Sequence, residues 1–167
     1  LTEFFHPRAQ EIVGLFPARL GARLEADPRW MARLTRWFDK GRRLRTDSLR
    51  AFVTLHILGG MTGWRRRTLR HAQEQAHLAR WLEAARAEVP RNYDLAVELV
   101  RCRRLIKGYS DTHARGQSKF DRVLAATARI APRDDAADWC RRLREAALQD
   151  EEGKALDGAI RSIESFT

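Results

Sequence analysis

Apolar residues recur at spacings of three and four along almost the whole chain, and this periodicity restricts the fold more than any other feature. A half-buried strand needs alternation of period two, usually built from β-branched residues. That alternation is nearly absent, and Ala, Leu, Arg and Glu outnumber Val and Ile, which favours helix. The expected fold class is all-α, a helical bundle of about seven to nine helices. The chain has 167 residues, enough for one domain with its own core, so residues 1–167 are expected to form a single helical domain. It opens on Leu1 rather than Met, which suggests a part excised from a longer protein.

The boundaries come from capping and breaking residues. Phe4-Phe5-His6-Pro7 opens the chain, with Pro7 suited to a first helical position, and a helix follows through Ile12, Val13, Leu15 and Phe16. Pro17 breaks it, and Leu20 and Leu24 are expected on the buried side of the next helix. Asp27-Pro28 is an N-cap followed by Pro at N1, and Met31, Leu34, Trp37 and Phe38 then form one stripe up to Gly41. Arg42 to Arg45 reads as a basic connector, and Thr46, Asp47 or Ser48 caps the next helix. That helix carries Leu49, Phe52, Val53, Leu55, Ile57 and Leu58, and its apolar character predicts a place at the centre of the bundle. Gly59, Gly60 and Gly63 make a turn. A long helix is predicted over Trp64 to Ala87, stopped at Glu88-Val89-Pro90. Asn92 caps another, ending near Gly108. The next starts at Ser110 to Thr112 and runs to Ile130. Asp134 or Asp135 caps the following one, and the last begins near Glu151.

No apolar run approaches the ~20 residues needed to span a bilayer, and no signal-peptide pattern is present. A cytoplasmic protein without membrane contact is expected. Cys102 and Cys140 fit no metal or redox spacing, which suits reduced thiols. Motifs such as HExxH and CxxC are absent, so no metal is expected. His56 reads as a core histidine and the five tryptophans as packing residues. The net charge of +10 is uneven: residues 1–110 hold 22 Lys+Arg and 11 Asp+Glu, against 10 and 11 in residues 111–167. Basic clusters such as Arg42-Arg43 and Arg65-Arg66-Arg67 are ordinarily solvated helix faces. Their charge keeps open a basic nucleic-acid-binding module as the disfavoured alternative, with no recognition motif beside it.

One stretch concentrates chemistry. Between Leu105 and Gly116 lie Lys107, Tyr109, Ser110, Asp111, Thr112, His113 and Arg115. Gly108 suits a helix end, and Ser110, Asp111 and Thr112 are all N-cap residues. A helix N-terminus with Lys107, His113 and Arg115 around it would hold an anionic group or a partner's acidic side chain. The same residue types also satisfy free backbone groups at a plain helix–turn–helix corner. No nucleophile or triad accompanies them, so no catalytic residue is assigned.

The stretch Leu99-Val100-Arg101-Cys102-Arg103-Arg104-Leu105-Ile106-Lys107-Gly108-Tyr109-Ser110-Asp111-Thr112-His113-Ala114-Arg115-Gly116 also carries a resemblance. With Phe4-Phe5-His6-Pro7-Arg8, Pro17-Ala18-Arg19-Leu20-Gly21 and Gly41-Arg42-Arg43-Leu44-Arg45-Thr46, it resembles the helical C-terminal region of the indolepyruvate (2-oxoacid) ferredoxin oxidoreductase subunit beta family. The resemblance implies a parent enzyme that oxidatively decarboxylates aryl-pyruvates to acyl-CoA and passes electrons to ferredoxin. It implies thiamine diphosphate and iron–sulfur clusters elsewhere in that parent and no cofactor here. The chain would be a non-catalytic docking or regulatory domain whose partners are other domains or subunits of the oxidoreductase, or ferredoxin.

Overall fold

The computed structural model describes residues 2–5, 8–38, 42–45, 48–107, 110–149 and 152–165; for 2–5, 42–45 and 110–113 only the backbone is described. The chain is all-α, with nine α-helices among the described residues, as the periodicity predicts. It divides into two compact units, residues 1–78 and 79–167.

The first unit also contains a two-stranded ribbon. Thr2–Phe5 (β1) pairs antiparallel with Arg42–Arg45 (β2), with Thr2 opposite Arg45 and Phe5 opposite Arg42. Four-residue strands are too short to show a period in the sequence, so the basic connector reads as a loop and is instead half of a ribbon. The expected roles of Pro7, Gly41, Thr46 and Asp47 lie outside the described residues.

α1 (Ala9–Gly14) and α2 (Ala18–Ala26) meet at Pro17, as expected. The inward residue of α2 is Gly21, while Leu20 is exposed and Leu24 half-buried, contrary to the expected buried pair. A Cβ on Gly21 would stand 2.8 Å from the Leu69 Cβ and 3.0 Å from the Val13 carbonyl oxygen. The missing side chain lets α2 approach α1 and the segment at Leu69, whose N–H donates to the Phe16 carbonyl at 2.9 Å. α3 (Pro28–Phe38) starts where the sequence places it, with Asp27 Oδ1 accepting from the Arg29 N–H at 2.8 Å. Met31, Leu34 and Phe38 are half-buried, and Trp37 leaves the expected stripe for solvent.

α4 (Leu49–Gly60) is capped by Ser48, whose Oγ accepts from the Ala51 N–H at 3.3 Å. The predicted helix from Trp64 begins later, at Leu69. Met61–Gly63 and Arg65–Arg67 tighten into 3-10 turns, and Thr68 is extended, with its hydroxyl accepting from the His71 N–H. α5 (Leu69–Glu88) runs across the division between the units.

The second unit holds the main core. α6 (Tyr93–Arg101) is capped by Asn92, whose Oδ1 accepts from the Leu95 N–H at 3.0 Å. It stops short of the predicted end near Gly108 because Cys102–Leu105 tightens into a 3-10 turn. α7 (Ser110–Ile130), α8 (Ala136–Gln149) and α9 (Lys154–Glu164) follow. Leu95, Phe120, Val123, Ile130, Leu143 and Leu156 are fully buried together. Trp81 and Trp139 pack against this core, Trp81 donating from its indole N–H to the Leu99 carbonyl at 2.8 Å. Trp30, Trp37 and Trp64 are exposed, so the expectation of tryptophans as packing residues holds for two of the five.

Candidate functional site

The described part of the 107–116 corner consists of the 3-10 turn Cys102–Leu105, the link through the extended Ile106 to Lys107, and the start of α7 at Ser110. Lys107 is exposed in the link, and Arg115 is exposed on α7. Ser110, Asp111, Thr112 and His113 form the first turn of α7, where backbone N–H groups have no acceptor within the helix. Their side chains, and the whole of Gly108 and Tyr109, lie outside the described residues.

What the structure adds to this corner is a close contact. Gly116 is buried in α7, and a Cβ there would sit 2.6 Å from the Leu105 carbonyl oxygen and 3.3 Å from the Ile106 Cα. α7 therefore lies directly on the backbone leading into the corner. A glycine that reads in sequence as the end of a polar motif is the residue that lets the corner close.

The second feature of note is α4. Its sequence predicts a central helix, but of its residues only Ala51 is buried. Leu49 is 77% exposed, Phe52 62% and Ile57 59%, and Val53, Leu55 and Leu58 are exposed as well. His56, expected in the core, is exposed and stacks on Phe52 with ring centroids 6.0 Å apart. Hydropathy reports that these faces favour burial; it does not say that the same chain buries them. The apolar residues fall on nearly every side of the helix, so no single flat contact covers them all.

Arginines beside α4 and elsewhere lie on tryptophan faces. Arg33 stacks on Trp30 at 5.4 Å, Arg67 on Trp64 at 5.9 Å, and Arg142 on Trp139 at 5.0 Å. The basic clusters are thus partly packing elements, with the guanidinium plane held over an aromatic ring.

Inside the second unit lies a polar cluster that the sequence does not announce. Glu98 and Arg144 are buried side chains joined by a hydrogen bond from Nη2 to Oε2 of 3.0 Å, and Arg101 also donates to Glu98. Beside them Cys102 and Cys140 meet, Sγ to Sγ, at 3.7 Å, both fully buried and both free thiols. The two cysteines, 38 residues apart in sequence, are in contact in space. Helical spacing carried the signal, since Leu95, Leu99 and Cys102 share one face and Ala136, Cys140 and Leu143 another. The hydrogen bond with Cys140, together with burial, pushes the Cys102 thiol up.

On the surface nearby, Arg133 donates to Asp135 from Nε at 2.7 Å and from Nη2 at 2.9 Å, and the Trp139 indole donates at 3.1 Å. The Arg133 hydrogen bond holds the Asp135 carboxyl down at about 2. A groove of about 420 Å³ runs between α6 and α8, with Asp94, Glu98, Asp134 and Asp138 facing Arg101 and Arg141. Within it Arg101 pairs with Glu98 and Arg141 with Asp138. Among the described residues, no three His, Cys, Asp or Glu side chains gather to hold a metal ion, and no helix is long and apolar enough to cross a membrane.

Residues 1–126 match the model of a family of unknown function, DUF6537. No curated protein matches the chain, and no solved structure does.

Proposed function

We propose a role for this chain as a member of DUF6537, the family of unknown function to which it belongs: it is a non-catalytic docking domain of an indolepyruvate-type ferredoxin oxidoreductase subunit. One observation carries the reading. α4 displays Leu49, Phe52, Val53, Leu55, Ile57 and Leu58 to solvent, an apolar surface of the kind that marks a protein–protein contact. The resemblance of the motifs at 4–8, 17–21, 41–46 and 99–116 supplies the identity of the assembly. Other domains or subunits of the oxidoreductase cover α4, and the 107–116 corner offers Lys107 and Arg115 to an anionic group or an acidic neighbour. A cytoplasmic setting goes with this reading.

The chemistry of such an enzyme belongs elsewhere in the parent. An iron–sulfur cluster takes four cysteine thiolates, whereas this chain has two cysteines, buried against one another. The donor set does not fit such a cluster.

The test is Phe52→Glu with Leu55→Glu in the assembled oxidoreductase. Both side chains are exposed here, so the domain itself keeps its fold. The expected result is loss of subunit assembly and of electron transfer to ferredoxin, with helix content unchanged. Intact assembly and undiminished electron transfer would overturn the proposal. A steeply salt-dependent affinity for DNA or RNA would instead favour a phosphate-tracking surface.

A further inference from the structure

We propose that Cys102 and Cys140 form an oxidation site that takes a small hydroperoxide and closes to an intramolecular disulfide. The geometry is the first argument. The sulfurs are 3.7 Å apart on two different elements, the 3-10 turn after α6 and the middle of α8. A disulfide bond is about 2.05 Å long, so the sulfurs need to approach by about 1.7 Å, within reach of side-chain rotation and a small adjustment of the turn.

The surroundings are the second argument, because they are not those of an inert apolar thiol pair. The Thr127 hydroxyl is buried beside Cys140 and can donate to its sulfur. A thiolate at Cys140 is a stronger acceptor for that hydroxyl than the thiol, so the contact favours the charged sulfur. The paired Arg144 and Glu98 lie close enough to act on both sulfurs in opposite senses, Arg144 favouring the thiolate and Glu98 the thiol. The two sulfurs are also unequal. Hydrogen bonding from Cys102 draws the Cys140 thiol down, and the same contact with burial pushes Cys102 up. The Thr127 hydroxyl gives a Cys140 thiolate a donor, which assigns Cys140 as the attacking sulfur, and Cys102 keeps its proton until the second step.

The Cys140 thiolate attacks one peroxide oxygen, forming an S–O bond and breaking O–O, and the departing hydroxide takes up a proton as water. Cys102 Sγ then attacks Cys140 Sγ, forming S–S and breaking S–O, and the second hydroxide leaves with the Cys102 proton as water. In sum, two thiols and one hydrogen peroxide give one disulfide and two waters. Both sulfurs are fully buried, which selects a small oxidant over a bulky disulfide such as oxidised glutathione.

The experiment uses the purified 167-residue chain and hydrogen peroxide as the probe. After exposure the protein is unfolded in excess alkylating agent and mapped by mass spectrometry. The expected product joins the peptides holding Cys102 and Cys140, weighs two hydrogens less than the reduced pair, and reverts with dithiothreitol. In Cys102→Ser, Cys140 accumulates as sulfenic acid trapped by dimedone; in Cys140→Ser, Cys102 stays alkylatable at the same dose. The proposal is overturned if both native thiols survive a dose that oxidises the urea-unfolded chain. It is equally overturned if sulfinic acid appears without the joined peptide, or if the joined peptides come from two different chains. Thiol mapping of the unaltered protein decides the matter even where a serine variant fails to fold.

Discussion

Replacing Gly116 with alanine sets two known effects against each other at the heart of the 107–116 corner. In a helix interior alanine is favoured over glycine by ~0.8–1.0 kcal/mol. Against that gain, the new Cβ would stand 2.6 Å from the Leu105 carbonyl oxygen, where ordinary contact begins at 3.4 Å. The obstacle is backbone, which cannot rotate away, so α7 and the 3-10 turn must separate by roughly 0.8 Å. Overpacking of this kind costs ~1–3 kcal/mol, and a backbone obstacle places the cost in the upper half of that range. The net expectation is destabilisation by about 1–2 kcal/mol. Gly158, in α9 of the same unit, is the internal control, since a Cβ there meets nothing within 4 Å. Gly158→Ala keeps only the propensity gain and stabilises by ~0.8–1.0 kcal/mol. Thermal unfolding followed by far-UV circular dichroism reads both, at roughly 4–8 °C per kcal/mol for a unit of this size. Gly116→Ala lowers the midpoint and Gly158→Ala raises it. A Gly116→Ala protein as stable as the parent would refute the close approach and, with it, the structural account of the corner.

Three further outcomes follow from the same structure. Arg144→Leu strands the buried Glu98 carboxylate and lowers stability in urea by about 3 kcal/mol, at the lower end for a broken buried pair because Arg101 remains; an added Glu98→Gln change recovers most of the loss. The Asp135 carboxyl titrates at about 2 by NMR, and Arg133→Ala moves the midpoint back toward 3.8. Because its folded value is depressed, the stability it contributes is present above its ordinary value and disappears as pH falls from 3.8 through about 2. Phe52→Glu in the isolated chain leaves the unfolding free energy within ~0.5 kcal/mol and reduces binding of an apolar dye, whereas Phe120→Ala, at a fully buried core position, lowers it by ~3–5 kcal/mol.

Most helix starts were legible in the sequence because capping is a local effect. Asp27, Ser48 and Asn92 each act within three residues of themselves, and each caps where the sequence places it. What depended on distant partners was not legible. The β1–β2 ribbon joins segments about forty residues apart, and neither strand is long enough to show a period. The delayed start of α5 at Leu69 turns on two consecutive 3-10 turns, which helix propensity does not distinguish from α-helix. At the corner, polar residues attracted the reading and Gly116 proved to be the structural determinant, since close approach of two backbones leaves no trace in hydropathy. The cysteine contact was encoded in the spacing of two amphipathic helices, but only knowledge that α6 and α8 face each other makes that spacing meaningful.

α4 shows the same limit from the other side, and its energetics bear on what kind of docking it can support. Complete burial of one large apolar side chain is worth ~1.5–3 kcal/mol. The six on α4 are already part covered, at 41% to 77% exposure, so covering the remainder yields on the order of 5–10 kcal/mol before any cost. Free association of two bodies costs ~4–15 kcal/mol in lost translation and rotation. The helix therefore does not by itself hold a freely diffusing partner. It adds usefully to a contact made under a tether or beside a second point of attachment, where effective concentrations reach ~mM. The charge of residues 1–78, 15 Lys+Arg against 7 Asp+Glu, supplies steering toward an acidic neighbour and opposes pairing of two copies through this unit. On the proposed reading, then, the isolated chain stays monomeric with α4 in solvent, and the assembly holds only when α4 and a second contact act together, so that losing α4 undoes it.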